Sequence, residues 1–411
     1  MKYLHLLLFH LSNLALEGVY YLGYPLLWLA LGLKGYRASL DASASDTQGG
    51  ILIHAASVGE VNAMKPLLRA LQQNFPEKKV LVTTNTVTGL KVAQKLGVEA
   101  KLAVLDLPHL RRAQLEASNP VLVLIVETEI WPNLLYQAKR RGIAVVFVNA
   151  RLSARSLLHY RKLRPLLQAL QAPVKGIFAQ SASDARRFRQ LFDVPVHNAG
   201  NLKYALSLPD HDSHAIRRQW GYSEDDFILC LGSSRPGEEM LLKKLLPELK
   251  AQIKNLKLII AVRHPQRSSE VKSIFPEHKL ISDVISDRAG AGEVLIIDTI
   301  GHLDEAYAIC DIALVGGSFT PHGGHNPLEP AHYSKPVIIG RHHASCLESV
   351  ETLKRCDAIL VCDSDNLAAT ILELYGDPKR RITLGNNAKT CLAENGKSLE
   401  NHLEGLRPWI N

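Results

Sequence analysis

The chain has 411 residues, 46% hydrophobic and 6% aromatic, which suits two or three domains with their own cores and excludes a disordered chain. Its formal charge of +8 favours anionic partners, yet the basic residues are scattered in short strings such as "RRG" and "ARRFR" without interleaved aromatics, which argues against nucleic acid. The six cysteines, Cys230, Cys310, Cys346, Cys356, Cys362 and Cys391, form no C-x-x-C pair or zinc spacing and are expected to be reduced.

Residues 3–33 form an apolar run broken by one charge, Glu17, and closed by Lys34 and Arg37. Tyr20, Tyr21, Tyr24 and Trp28 are residue types that favour a membrane interface. An N-terminal membrane anchor over residues 1–37 is expected, either one tilted span or a helix pair in one leaflet. Basic residues after the run favour a cytoplasmic body. A cleaved signal peptide fits less well, because Lys34, Arg37 and Asp41 intervene before the cleavage-like Ala42-Ser43-Ala44.

From residue 48 onward, apolar β-branched runs alternate with helical patterns: "ILIHAA", "KVLVTTN", "VLVLIVETE", "AVVFVNA" and "GIFAQ". This alternation predicts a parallel sheet covered on both faces, over residues 48–208. Pro, Asp, Ser and His dominate residues 209–225, which read as a linker. A second series, "FILCLGSS", "LKLIIAVRH", "EVLIIDT", "IALVGGS", "KPVIIG" and "AILVCD", predicts another such domain over residues 226–380. Residues 381–411 read as a helix packing back on the first domain. The fold class is α/β, with two tandem doubly wound domains behind an anchor.

In each unit the polar residues gather just after the apolar run, where open α/β sheets bind ligands. Ser57-Val58-Gly59-Glu60 fits a capping box, so Glu60 is either a helix cap or a base at the mouth of a site. "ETEIWPN" puts Glu127 and Glu129 on the same side of an extended chain, and Lys203 in "GNLKY" is a candidate basic partner. Arg263 in "AVRHPQR" can pair with a phosphate. In "VGGSFTPHGGHNPLEP" the glycines allow close ligand approach, and Asn326-Pro327 opens a helix whose N–H groups suit a phosphate. Glu329 either caps that helix or accepts from ribose hydroxyls. There is no G-x-G-x-x-G, no P-loop and no H-E-x-x-H, so a nucleotide-sugar site without a catalytic metal is expected.

The strings "SVGE", "TTNTVTG", "ETEIWPN", "NARLSARS", "GNLK", "PGEE", "RHPQR", "DTIGHL", "VGGS" and "GGHNPLEP", in this order, resemble the Kdo (3-deoxy-D-manno-octulosonic acid) transferases of lipopolysaccharide assembly. The resemblance implies a GT-B glycosyltransferase of two Rossmann-like domains. It implies CMP-Kdo as donor substrate, a phosphorylated lipid A precursor (lipid IVA) as acceptor, and no cofactor. Glu60 is then the general base, while Glu129 and Lys203 stabilise the transition state. The donor contacts fall on Arg263, His264, Gly301, His302, Leu303, Gly317, Ser318, Asn326, Pro327, Leu328 and Glu329. The chain departs from the family pattern at His302, where Glu is usual. Two other classes stay open: a GT-B enzyme using a different nucleotide sugar, and a non-catalytic membrane-bound nucleotide-sugar binder.

Overall fold

A computed structural model describes residues 2–40, 45–206, 208–286 and 290–410. The Ala42-Ser43-Ala44 string lies outside the described residues. The chain divides into two compact units, Met1–Ala205 with Asn395–Asn411, and Leu206–Glu394.

The first unit is built on seven parallel strands: β1 (Ile51–His54), β2 (Val80–Thr84), β3 (Glu99–Leu102), β4 (Leu122–Val126), β5 (Ala144–Ala150), β6 (Val174–Ala179) and β7 (Val196–Asn198). Their order is β3-β2-β1-β4-β5-β6-β7, so the winding reverses between β1 and β4. Period-two geometry explains why the central strands read as unbroken apolar runs. Leu122, Leu124 and Val126 enter one core cluster, and Val123 and Ile125 enter another on the opposite face.

The second unit repeats the plan with β8 (Phe227–Ser234), β9 (Leu256–Val262), β10 (His278–Leu280), β11 (Val294–Ile297), β12 (Ile312–Val315), β13 (Val337–Gly340) and β14 (Ile359–Cys362). The order is β10-β11-β9-β8-β12-β13-β14, and here the reversal lies between β8 and β12.

The N-terminal run is one helix, Lys2–Leu33, long and apolar enough to cross a membrane. It is tied to its unit by polar contacts: Asn13 and Asn133 exchange two amide hydrogen bonds, and Glu17 meets His109.

Three expectations need correction. Residues 209–225 contain a helix, Ser213–Trp220, capped by the Asp212 side chain and ended by Gly221 in left-handed geometry. It buries Ile216 and Trp220 in the second unit's core, which a loose linker would not do. The C-terminal segment is two helices, not one. Pro378–Gly396 belongs almost wholly to the second unit, and Ser398–Ile410 supplies Leu406 and Ile410 to the first unit's core. The cysteines are not all reduced: Cys356 and Cys391 are disulfide-bonded, with Cα atoms 6.1 Å apart at a sequence separation of 35. Proximity made by folding carries no spacing signature.

Candidate active site

Among the described non-glycine residues, positive φ occurs at both ends of the strands. Asn119, Asn255, Ser334 and Asp357 adopt left-handed geometry just before strands, as helix exits commonly do. Glu127, Asn149 and Ser233 adopt it at the carboxyl ends of β4, β5 and β8. Non-glycine residues held there cost energy, and such strain collects at active sites. Glu127 (φ 59°) also corrects the reading of "ETE" as extended chain: a turn follows β4.

In the first unit, Glu60 follows β1 and Glu127 and Glu129 follow β4, so all three flank the switch point. Ser57 caps the helix Val58–Ala63 in extended geometry. Glu60 does reach back: its carboxylate accepts from Ala56 N at 2.7 Å and from Ser57 Oγ at 3.2 Å. It is therefore a cap, but an unusual one. Burial pushes its pKa up to about 7, the Ala56 hydrogen bond opposes this, and the charges of Glu127 and Glu129 add to it. A carboxyl poised near neutrality is matched to general-base work.

Burial also raises Glu129, against hydrogen bonds from Asn85 and Trp131 and the positive charge of Arg111. Next to it, Trp131 Nε1 donates to His54 Nε2 at 3.1 Å, and His54 Nδ1 lies 3.1 Å from Thr83 Oγ1. Nε2 as acceptor assigns the proton to Nδ1. Burial drives the His54 pKa down to about 3, so the ring is neutral.

Lys203 stands exposed on the turn Leu202–Tyr204, which Asn201 caps through the Lys203 N–H. The cation whose charge reaches Glu129 is Arg111, buried on the helix Pro108–Ser118. The sequence reading missed it, because a basic residue in an amphipathic helix reads as a solvated face.

In the second unit, β8 and β12 approach closely at the reversal. A Cβ on Gly316 would lie 2.5 Å from Ser233 O, so only glycine fits. Arg235, just after β8, joins the site: its Nε donates to His325 Nε2 at 3.3 Å and its Nη1 lies 3.0 Å from His264 Nε2. Arg263 and His264 are exposed beside them. Burial lowers the His325 pKa to about 4, helped by the charges of Arg263 and Arg235. Gly301 is exposed, and His302 stands at the N-cap position of the helix Leu303–Ile309, its Nδ1 2.7 Å from Glu305 Oε2. Asn326 accepts from Leu328 N and donates to Glu329 at 3.2 Å, with burial raising the Glu329 pKa. Pro327 and Leu328 are buried, so their side chains are packing, and Leu303 is partly buried.

Gly317 and Ser318 do not offer free amides to a phosphate. The buried carboxylate of Glu238 accepts from Gly317 N (2.8 Å), Ser318 N (3.0 Å), Phe319 N (3.0 Å) and Arg235 N (2.9 Å). Ser318 is fully buried, donating to Val315 O and accepting from Gly340 N. These residues shape the loop that carries Arg235 and His325. Among the described residues, no group of three or more His, Cys, Asp or Glu side chains is arranged to hold a metal.

The family model described as "3-Deoxy-D-manno-octulosonic-acid transferase (kdotransferase)" matches residues 33–206. The chain is 35% identical over 383 residues to a 3-deoxy-D-manno-octulosonic acid transferase of Haemophilus influenzae, covering 90% of this chain and 89% of that protein. It is 28% identical to one from Bordetella pertussis, over 97% of this chain and 98% of the relative. Among solved structures, UDP-GlcNAc 2-epimerase from Neisseria meningitidis superposes with a TM-score of 0.54 at 15% identity, over 87% of this chain and 100% of that one, a likeness of fold alone. Two doubly wound seven-stranded sheets, with the charged residues at both switch points, agree with that sequence similarity: the chain belongs to the 3-deoxy-D-manno-octulosonic acid transferase family of glycosyltransferases.

Proposed function

We propose that the chain moves Kdo from CMP-Kdo to a phosphorylated lipid A precursor, with inversion and by single displacement. The observation that carries this reading is Glu60, a carboxyl held to about pH 7 at the switch point of the first sheet. An acceptor hydroxyl attacks the anomeric carbon as Glu60 takes its proton. The bond from that carbon to the CMP phosphate breaks, and CMP leaves with the electron pair. Charge develops on the departing phosphate, and fixed cations stabilise such charge without reorganising. Arg263 and the Arg235–His264 pair supply it in this reading, with no cofactor. In this reading Glu329 accepts from the ribose hydroxyls and Asn326 donates to them. Glu129 and Lys203 stabilise the transition state in this reading, the carboxylate by offsetting the oxocarbenium-like charge.

The helix Lys2–Leu33 supports membrane attachment: it is apolar, most of it is exposed, and it carries Tyr21, Tyr24 and Trp28 at its surface. With Lys34 and Arg37 following it, the catalytic body lies at the cytoplasmic face of the inner membrane in this account. A donor panel tests the reading. Purified chain in detergent is given CMP-Kdo, CMP-sialic acid or UDP-GlcNAc with a tetra-acylated lipid A precursor, and the products are weighed. A Kdo adduct from CMP-Kdo alone is expected; transfer from a UDP-sugar, or CMP binding without transfer, would overturn it.

A further inference from the structure

Arg111 is an odd residue to bury. It is 1% exposed on the helix Pro108–Ser118. Its Nε donates to Asp106 Oδ1 at 2.9 Å and its Nη1 to Gln114 Oε1 at 3.0 Å, while Nη2 is buried without a hydrogen-bond partner. Its guanidinium carbon stands 5.2 Å from the centre of the Trp131 ring. A buried, incompletely bonded cation is costly and calls for a function.

Its surroundings point to one. Asp106, which pairs with Arg111, also accepts from Asn133 N at 2.9 Å and Leu134 N at 3.1 Å, and so caps the helix Pro132–Arg141. That helix begins directly after the Glu127–Trp131 turn. Asn133 in turn donates to Asp106 O at 2.7 Å and exchanges amide bonds with Asn13 on the N-terminal helix. From the other side, Trp131 is held by His54 at the end of β1. Arg111 thus lies under the turn, gripping its exit through Asp106 and the Trp131 face.

We propose that Arg111 is a positioning residue for transfer: through its ion pair with Asp106 and its contact with the Trp131 face it fixes the Glu127–Trp131 turn and so the place of Glu129. The proposal rests on the catalytic assignment of Glu129. Glu127 in its own turn, Glu60 after β1, Tyr160 on the helix Ala154–Lys162 and Arg111 all act electrostatically on or with Glu129.

The test uses the full chain in detergent with CMP-Kdo and the lipid A precursor, comparing wild type, Arg111→Met and Arg111→Lys, with thermal unfolding as a check on folding. Arg111→Met should lower kcat by about tenfold or more and leave the KM for CMP-Kdo within about twofold, because the donor residues lie in the other unit. Arg111→Lys keeps the charge that pairs with Asp106, the link that caps the Pro132–Arg141 helix, and should recover kcat to within about threefold of wild type. Folded Arg111→Met turning over within about threefold of wild type would overturn the proposal. If Arg111→Met does not fold, folded Arg111→Lys that is as slow as about one-tenth of wild type overturns it equally. Absence of transfer by wild type refutes the proposed function instead, which keeps the two failures apart.

Discussion

Glu60→Gln separates the two jobs of that side chain. In the folded protein its pKa is raised from 4.5 to about 7, chiefly by burial. The folded state therefore holds this proton more tightly than the unfolded chain does. The stability linked to that proton is fully present below pH 4.5 and is lost as pH rises through about 7. At about 1.4 kcal/mol per pH unit the gap has an upper bound of about 3–4 kcal/mol. Water on the partly exposed side reduces this to about 1–2 kcal/mol. Glutamine carries no charge, so the variant escapes the loss. It should match wild type within about 1 kcal/mol at pH 5 and exceed it by about 1–2 kcal/mol at pH 8.5, in urea titrations at the two pH values. Transfer should fall by about 10²–10⁴-fold at pH 8.5, because the amide cannot take the hydroxyl proton. A stability difference that does not change with pH, or near-normal turnover, would refute the reasoning.

Arg263→Ala should raise the KM for CMP-Kdo by about tenfold, since a charge-assisted contact to phosphate is lost, while the melting temperature moves by less than about 2 °C. Glu238→Ala should destabilise the protein by about 3 kcal/mol in urea titration, because it leaves the Gly317, Ser318 and Phe319 N–H groups buried and unpaired. His54, His325 and His402 have pKa values depressed to about 3, about 4 and about 4. Their neutral forms stabilise the fold above pH 6.5, so their contribution declines as pH falls from 6.5 towards 4, against the opposite trend of Glu60; a stability difference between wild type and His402→Gln that stays flat over that range would contradict the neutral assignment of His402. His402→Gln should blunt this decline, because His402 Nε2 is the acceptor for Asn149 N and must stay unprotonated.

The parallel strands were legible because a strand buried on both faces must be apolar throughout, as Leu122–Val126 is. Glu60 and the strand-end residues of the second unit were legible because turns at carboxyl strand ends need polar and glycine residues. Other features depend on contacts that only folding makes. Arg111 looks like a solvated helical residue until its helix is docked. Glu238, in "PGEE", carries no sign that it will take three amides from a loop about 80 residues later. The helix Ser213–Trp220 did leave a signal, with Asp212 before it, Gly221 after it, and Ile216 and Trp220 four apart on one face. The polar composition around it outweighed that pattern in the reading of a linker.

The most direct test of the account is a single-turnover transfer from CMP-Kdo to a tetra-acylated lipid A precursor across pH 5.5–8.5, with products resolved by mass. The account predicts a Kdo adduct whose rate rises with pH to a plateau above about 7, the value to which Glu60 is raised, and no such rise in the residual rate of Glu60→Gln. A wild-type rate independent of pH across that range, or an adduct formed equally by the glutamine variant, would contradict it.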